Sequence, residues 1–269
     1  MSNKYDRYFK VNKETWDKKV GVHTKSEFYD VVGFRKGKTS LNKYELEELG
    51  DVKGKSLLHL QCHFGLDTLS LSRLGAKCTG IDISSEGIKK AKLLNDELGL
   101  NASFIESNLY DVPKKVNGKF DIVFTSYGVI GWLPDLKTWA EIIASKLKKD
   151  GVFYLVEFHP IVWMFDYSQS PPKLKYPYLQ SEVIYEEYKG TYTNMDADII
   201  SKEYGWNHSL GEVVSALITA GLQIDFLHEF EKSPYNSFPK MEQTEDGMYV
   251  LKENKQLFPL VYSIQATKK

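Results

Sequence analysis

The sequence predicts an α/β fold, a doubly wound and mostly parallel sheet with helices on both faces and an antiparallel last strand. Two observations carry this prediction. Short apolar runs alternate with stretches of helical periodicity from residue 55 to residue 158, and this alternation is typical of parallel strands joined by right-handed crossovers. After one more helical stretch, two apolar runs follow with no convincing helix between them, which indicates an antiparallel pair joined by a long hairpin.

Five apolar runs define the strands of the parallel part. The run Phe-Asp-Ile-Val-Phe-Thr at 120–125 is nearly continuous in apolar residues, as parallel strands buried on both faces are. The predicted parallel strands are 56–60, 77–81, 102–105, 120–125 and 152–158, and the antiparallel pair is 222–230 and 258–266.

Helical periodicity separates these strands, and capping residues mark the helix ends. Gly75 has the position that a helix C-cap prefers, Ser84 and Ser85 can cap the next helix, and Ser209 with Glu212 has capping-box spacing. The apolar faces of the four predicted helices are Leu66, Leu69 and Leu74; Ile88, Ala91, Leu94 and Leu98; Leu136, Trp139, Ile143 and Leu147; and Val213, Val214, Leu217 and Ile218.

Two segments lie outside this pattern. Residues 1–53 are polar with short apolar clusters, and we expect an N-terminal helical or lid segment there, before a main domain at 54–269. An insertion at about 160–205 has no clear helical period, yet it holds seven of the 17 tyrosines. We expect these two segments to form two sides of a lid, with the tyrosines as the wall of a ligand pocket.

Composition excludes several classes of function. A formal net charge of −1 with no basic stripe argues against a nucleic-acid binder. Cys62 and Cys78 lack the spacing of a redox pair or a zinc site, so we expect two reduced core residues and no metal. The chain has neither a signal-peptide pattern nor an apolar run of about 20 residues, which predicts a cytoplasmic protein without a membrane partner. Nothing in the pattern indicates an oligomeric state.

Polar residues follow four of the predicted strands. Ligands of an open parallel sheet bind outside the carboxyl ends of its strands, and this rule selects 61–65, Asp82, 107–109 and 126–132. Asp82 lies 17 positions after Gly65, where a carboxylate can accept both hydroxyls of a ribose. The alternative is a carboxylate that caps the next helix.

These segments carry a resemblance. Leu57-Leu-His-Leu-Gln-Cys-His-Phe-Gly-Leu-Asp67 and Gly80-Ile-Asp-Ile-Ser84 resemble motif I and the second-strand acid of class I S-adenosylmethionine-dependent methyltransferases, which have a Rossmann-like fold. The similarity continues through 104–108, 120–123 and 147–153. It implies methyl transfer from S-adenosylmethionine, here to a small-molecule acceptor.

The resemblance also implies roles for single residues. The loop with Gln61, His63 and Gly65 would wrap the methionine part of the cofactor. Beyond it, Asp82 would bind the ribose, Ile83 the adenine face, Asn108 the adenine amino group and the Leu109 amide an adenine ring nitrogen, with Ser126 in the same cofactor set.

One departure from the family pattern concerns this loop. Gln61 and His63 occupy positions where the family has glycine. The pocket is therefore either rebuilt around these side chains, with one of them bonding the carboxylate or amine of the cofactor, or it has lost the cofactor. A binding or sensing protein without transfer activity is the alternative function. An NAD-dependent oxidoreductase is a weaker one, because Gly65 alone cannot supply the GxGxxG fingerprint.

Glu157 and His159 are the candidate catalytic residues, since both follow the fifth strand and alternation places them on one face. A base is needed only if the acceptor must lose a proton, and the alternative is that both residues merely bond the irregular chain after Pro160. Trp132 and Tyr185 are the candidate acceptor-binding residues. His208 is a second candidate base, whereas His59 is expected to be a bonded core residue.

Overall fold

The secondary structure comes from a computed structural model that describes residues 4–167, 172–179, 182–236, 238, 240–252 and 257–269. The helices are α1 (Asp6–His23), α2 (Val31–Arg35), α3 (Lys43–Glu48), α4 (Leu66–Arg73), α5 (Ser85–Glu97), α6 (Val112–Lys115), α7 (Leu136–Lys146) and α8 (Leu210–Thr219). The strands are β1 (Ser56–Leu60), β2 (Lys77–Asp82), β3 (Ser103–Glu106), β4 (Phe120–Thr125), β5 (Leu147–Phe158), β6 (Phe165–Asp166), β7 (Lys173–Leu174), β8 (Ile184–Lys189), β9 (Ile200–Gly205), β10 (Leu222–Phe230), β11 (Met241–Gln243), β12 (Tyr249–Leu251) and β13 (Val261–Lys268).

Seven of these strands form one central sheet in the order β10-β13-β5-β4-β1-β2-β3. The five strands from β5 to β3 are parallel, and β13 is antiparallel to both β5 and β10. The predicted doubly wound, mostly parallel sheet with an antiparallel last strand is confirmed. The strand order reverses between β1 and β4, and the loops that follow these strands therefore diverge to opposite sides of a crevice.

Alternating side chains of the central strands supply two cores, one on each face of the sheet. Val123, Phe153 and Leu155 pack with the apolar faces of α7 and α8. The intervening residues Phe124 and Tyr154 pack on the opposite face, with Tyr44 of α3. Successive side chains of a strand point to opposite faces of the sheet, and these strands are apolar at nearly every position. Both faces are therefore apolar, and helices cover both.

Serine caps are present at both predicted helix starts. Ser84 Oγ accepts a hydrogen bond from the Gly87 amide at 2.9 Å, and Ser209 Oγ accepts from the Glu212 amide at 3.2 Å. The second half of the predicted capping box is wrong, because the Glu212 carboxylate lies 3.0 Å from His208 Nδ1 instead. Both cysteines are free and buried, as predicted. Among the described helices none has the length and apolar character needed to cross a bilayer.

The insertion contains two-stranded antiparallel pairs, which the sequence analysis did not resolve. β8 pairs with β9, and the outer edge of β9 faces α1. Asn12 Nδ2 donates to the carbonyl of Tyr204 and Asn12 Oδ1 accepts from its amide, both at 2.8 Å. Thr15 Oγ1 bonds the backbone of Lys202 in the same two ways. Side chains of α1 thereby satisfy backbone groups that an edge strand would leave unpaired.

Candidate active site

A cavity of about 1040 Å³ lies at the carboxyl edge of the parallel strands. Loops that follow β1, β2, β3 and β4 form its floor. Helix α1, the insertion, and the β11–β12 hairpin with the loop before it close the cavity. All of the residues predicted for cofactor binding line this cavity: Gln61, His63, Gly65, Asp82, Ile83, Asn108, Leu109 and Ser126. The crevice that the strand order predicts is thus one continuous cavity.

The backbone of the loop after β1 keeps the conformation that glycine favours. Gln61 has a φ of 55°, His63 of 51° and Gly65 of 83°. Side chains rarely adopt this left-handed region, so Gln61 and His63 take glycine positions at a conformational cost. Only Gly65 is sterically required, because a Cβ there would lie 2.7 Å from the ring of Phe104.

The side chain of Gln61 bridges two of the loops. Its Nε2 donates a hydrogen bond to the carbonyl of Val129 at 3.0 Å. Its Oε1 is buried and has no hydrogen-bond partner among the residues that the structure describes. A buried carbonyl oxygen without a donor is costly, and this atom is therefore a place where a ligand can donate a hydrogen bond.

His63 begins a chain of hydrogen bonds that leaves the loop. His63 Nε2 lies 2.9 Å from His23 Nδ1, and His23 Nε2 lies 2.7 Å from Thr191 Oγ1. Burial lowers the pKa of His23 to about 3 and lowers the pKa of His63 well below its usual range, so both rings are neutral at pH 7. The remaining nitrogen, His63 Nδ1, is buried and has no hydrogen-bond partner within the described ranges of the chain.

Asp82 joins the end of β2 to this loop. Its Oδ2 accepts from the His63 amide and its Oδ1 from the Ser84 amide, each at 2.8 Å. Burial raises the pKa of Asp82 to about 6. The carboxylate therefore orders the start of α5, as the capping alternative expected, and each oxygen retains capacity to accept one further bond.

The other predicted cofactor residues have local partners as well. Asn108 Oδ1 accepts from the Tyr110 amide at 3.0 Å, and Leu109 is buried beside it. Ser126 Oγ donates to Asp67 at 3.1 Å. The carbonyl of Ile83 accepts from Lys13 of α1. These contacts fix the positions of the lining residues around the cavity.

Glu157 holds the turn after β4. Its carboxylate accepts hydrogen bonds from the amides of Val129 at 2.8 Å and Ile130 at 3.1 Å, and also from those of Gly128 and Phe158. Burial raises its pKa. Glu157 lines the cavity, but four amides surround its two oxygens, which is the arrangement of a positioning residue.

The expectation that His159 shares a face with Glu157 in the cavity is wrong. His159 is absent from the described cavity wall. β5 ends at Phe158, and His159 Nε2 lies 2.9 Å from Glu229 while its Nδ1 accepts from the Ile161 amide at 3.2 Å. The imidazole therefore bonds the chain after Pro160, which is the alternative that the sequence left open. His59 is buried and bonded to Thr68, as expected.

Of the two predicted acceptor residues, one lines the cavity. Trp132 does so, and its ring packs edge-on against Trp16 of α1 at 5.3 Å. The placement of Tyr185 in the cavity is wrong, because its side chain is 48% exposed and its hydroxyl bonds Glu187 on the outer face of β8. Strand alternation instead directs Tyr188 to the cavity.

The expectation that residues 1–53 form one side of a lid included Trp16 and His23 of α1, but it did not include Lys19. These three residues share one face of the helix at helical spacing: Trp16 and Lys19 line the cavity, and His23 contacts Trp16 and His63 behind its wall. Lys19 is buried, its ammonium pairs with Glu203 of β9, and it lies 4.9 Å from the centre of the Trp16 ring. The spacing of these three residues was the available signal.

The tyrosines of the cavity wall come only partly from the insertion, where the sequence predicted them. Tyr176, Tyr188 and Tyr192 of the insertion line the cavity. Five tyrosines from other parts of the chain also line it: Tyr29, Tyr127, Tyr235, Tyr249 and Tyr262.

Comparison with known proteins identifies the central part of the sequence. Residues 57–151 match a family model described as a methyltransferase domain. This central segment is thus similar to methyltransferase domains. The match agrees with the predicted family resemblance and spans β1 to the middle of β5, the part of the chain that supplies the floor of the cavity.

Relatives and solved structures agree with this match. The chain is 30% identical over 133 residues to a ubiquinone biosynthesis O-methyltransferase of Xanthomonas euvesicatoria pv. vesicatoria, covering 48% of this chain and 55% of that protein. The chain thus spans about half the length of the curated relatives it matches.

Two solved structures are S-adenosylmethionine-dependent methyltransferases. The one from Mesorhizobium loti has 17% identity, a TM-score of 0.55 and coverage of 81% and 93% of the two chains. The one from Clostridium acetobutylicum has 14% identity, a TM-score of 0.55 and coverage of 98% and 96%. These two likenesses show the fold.

Proposed function

We propose that the chain transfers a methyl group from S-adenosylmethionine to a small molecule. One observation carries the proposal: the cofactor residues that follow β1, β2, β3 and β4 line one cavity with the aromatic residues of α1 and the insertion. The methyltransferase domain supplies the first set. The second set closes over it and leaves space beside the loop of Gln61 and His63.

The cavity is as large as the largest pockets that bind small molecules. Pockets for single small molecules measure about 300–1,000 Å³, and this one measures about 1040 Å³. Trp16, Trp132, Tyr188 and Tyr192 contribute aromatic faces, which suit a flat or apolar acceptor. Aromatic faces also attract the positive sulfonium of the cofactor.

In this proposal Asp82 binds the ribose, and the loop of Gln61 and His63 binds the methionine part. The cofactor would supply the methyl group from a sulfonium, whose sulfur takes the electron pair of the broken S–CH3 bond and leaves as a neutral thioether that needs no protonation. The protein contributes alignment of acceptor and methyl group for an in-line displacement, and alignment alone can reach effective molarities of about 10⁵–10⁸ M. Glu157 acts indirectly, by holding the turn that carries Trp132.

The acceptor class follows from the relatives as a proposal. The curated relatives are named as O-methyltransferases that act in ubiquinone biosynthesis. Phenols and catechols are therefore the acceptors to test first, alongside amines and thiols of similar size. A protein that binds the cofactor without transferring its methyl group is the alternative that the substituted loop of Gln61 and His63 favours.

Calorimetric titration with S-adenosylmethionine, S-adenosylhomocysteine and NAD tests the cofactor part. We expect binding of the first two, and binding of NAD alone would overturn the proposal. Incubation with the acceptor panel and S-adenosylmethionine then separates enzyme from binding protein. Formation of S-adenosylhomocysteine that depends on an acceptor supports transfer, whereas tight cofactor binding without turnover on any acceptor of the panel favours the alternative.

A further inference from the structure

Three side chains form a continuous hydrogen-bonded chain between separate elements. His63 lies in the loop after β1, His23 at the end of α1, and Thr191 in the turn between β8 and β9. His23 and Thr191 are fully buried. These hydrogen bonds therefore join the floor of the cavity to α1 and to the insertion, two of the segments that close it.

The protons of this chain can be arranged in only two ways. Each neutral imidazole carries one N–H, so every donor in the chain points in the same direction. In the first arrangement His23 Nε2–H donates to Thr191 Oγ1, His63 Nε2–H donates to His23, and His63 Nδ1 is a bare acceptor. In the second, the Thr191 hydroxyl donates to His23, His23 Nδ1–H donates to His63 Nε2, and His63 Nδ1 carries a hydrogen.

The surroundings of Thr191 select the second arrangement. Within the described part of the chain its hydroxyl has His23 as its hydrogen-bond partner and no other. The first arrangement would leave the hydroxyl hydrogen buried without an acceptor, which costs free energy. The second uses that hydrogen and leaves its one unpaired donor at His63 Nδ1, the buried atom for which the described part of the protein offers no partner.

We propose that His63 is a positioning residue that binds a ligand carboxylate through Nδ1–H and, through His23, fixes Thr191 and the β8–β9 turn against α1. This inference rests on the proposed function, because the carboxylate is that of the amino-acid end of S-adenosylmethionine. Gln61 Oε1, the other unpartnered atom of the loop, accepts from the ammonium of the same ligand end.

The proposal makes closure depend on one end of the ligand. A carboxylate locks the chain in the second arrangement and strengthens each bond toward Thr191. A ligand that has the adenosine but lacks the amino-acid end fills the rest of the site. It offers no acceptor to His63 Nδ1–H, and the hydrogen bonds from His63 to Thr191 are not strengthened. The amides of β8 and β9 report the difference, since their pairing with each other and with α1 depends on this turn.

Hydrogen–deuterium exchange of residues 182–205 tests this coupling. The probes are S-adenosylhomocysteine, its analogue without the carboxylate, and methylthioadenosine, which lacks the amino-acid end, each at saturation. In the unmodified protein we expect S-adenosylhomocysteine to slow exchange about tenfold more than the other two, the factor that one charge-assisted hydrogen bond supplies. Thr191→Val should abolish this difference and Thr191→Ser, which keeps the hydroxyl, should retain it.

A second variant covers the case in which Thr191→Val fails to fold. His63→Gly restores the residue that the backbone conformation favours and removes the donor, and it should bind methylthioadenosine normally while losing the extra protection by S-adenosylhomocysteine. Equal protection by all three probes in the unmodified protein would overturn the inference, as would full protection by the analogue without the carboxylate. Failure of all three to bind would instead overturn the proposed function.

Discussion

The Asp82 carboxylate and the His63 backbone amide form a 2.8 Å hydrogen bond across the floor of the cavity. This bond ties the end of β2 to the loop after β1, the two segments whose sequences carry the family resemblance. The loop residue at that point has a φ of 51°, so the carboxylate also holds a conformation that histidine disfavours. The shape of the loop thus depends on the side chain to which the proposed function assigns the ribose.

Replacing Asp82 by asparagine should weaken cofactor binding. The variant loses the charge that strengthens hydrogen bonds to the ribose hydroxyls, and such bonds contribute about 1.5–3 kcal/mol each. We expect the Kd of S-adenosylhomocysteine, measured by calorimetry, to rise about 10- to 100-fold. Asp225→Asn on β10, which bonds Thr267 away from the cavity, is the matched control and should leave the Kd unchanged. Equal affinities of the two variants would contradict the ribose role.

Replacing Gly65 by alanine should destabilise the fold more than the same change at another glycine of positive φ. Gly99 has a φ of 61°, and a Cβ added there would have no other atom within 4 Å, so Gly99→Ala should cost about 1–2 kcal/mol for backbone conformation alone. Gly65→Ala adds a clash with Phe104, and such overpacking costs about 1–3 kcal/mol more.

Chemical denaturation of both variants measures this difference in the free energy of unfolding. The companion change Phe104→Leu makes room beside Gly65 and should recover part of the loss in the double variant. Equal destabilisation by Gly65→Ala and Gly99→Ala would show that the ring of Phe104 yields to the added methyl group.

Much of the fold could be predicted because its signals are local. Apolar runs, helical periodicity and caps such as Ser84 depend on neighbours in sequence, and each strand of the central sheet lies at or near its predicted position. β3 lies one residue later and β13 starts three residues later than expected, whereas β5 starts at Leu147, five residues earlier and at a residue predicted to be helical. The positions of Asp82 and Asn108 at the cavity follow from the same logic, since Asp82 ends β2 and Asn108 follows the end of β3 by two residues.

The cavity wall could not be predicted, because long-range packing decides it. Trp16 and Lys19 reach the cavity only through the contact of α1 with β9, which lies more than 180 residues away. The insertion has too few apolar residues to show which side chains of β8 face inward. The sequence therefore favours Tyr185 as the acceptor-binding residue, whereas Tyr188 is the one that lines the cavity. His159 was misplaced because alternation ends with the strand at Phe158.

Removing one partner of the buried Lys19–Glu203 pair should destabilise the protein strongly. Lys19 has 1% of its side chain exposed, and a buried charge left alone costs about 3–5 kcal/mol. Lys19→Met should therefore lower the Tm by roughly 10 °C. The double variant Lys19→Met with Glu203→Gln removes both charges and should recover most of the loss. Thermal denaturation of the single and double variants measures this, and additive losses would show that the two charges do not compensate each other.

Glu45 should make stability depend on pH. The residue is buried on α3, its carboxylate accepts from Tyr127 at 2.8 Å, and burial raises its pKa to about 7. A carboxyl group whose pKa is higher in the folded state stabilises the protein below its ordinary pKa and loses that contribution as the pH rises toward 7. Relative to Glu45→Gln, the unmodified protein should therefore lose about 3 kcal/mol of unfolding free energy between pH 4.5 and pH 7.5.

Glutamine keeps the capping-box position. The control is Glu47→Gln on the exposed face of α3, whose stability should change with pH in parallel with that of the unmodified protein. Denaturant titrations across this pH range give the three profiles, and a Glu45→Gln profile that also runs parallel would show that the carboxyl group titrates at its ordinary pKa.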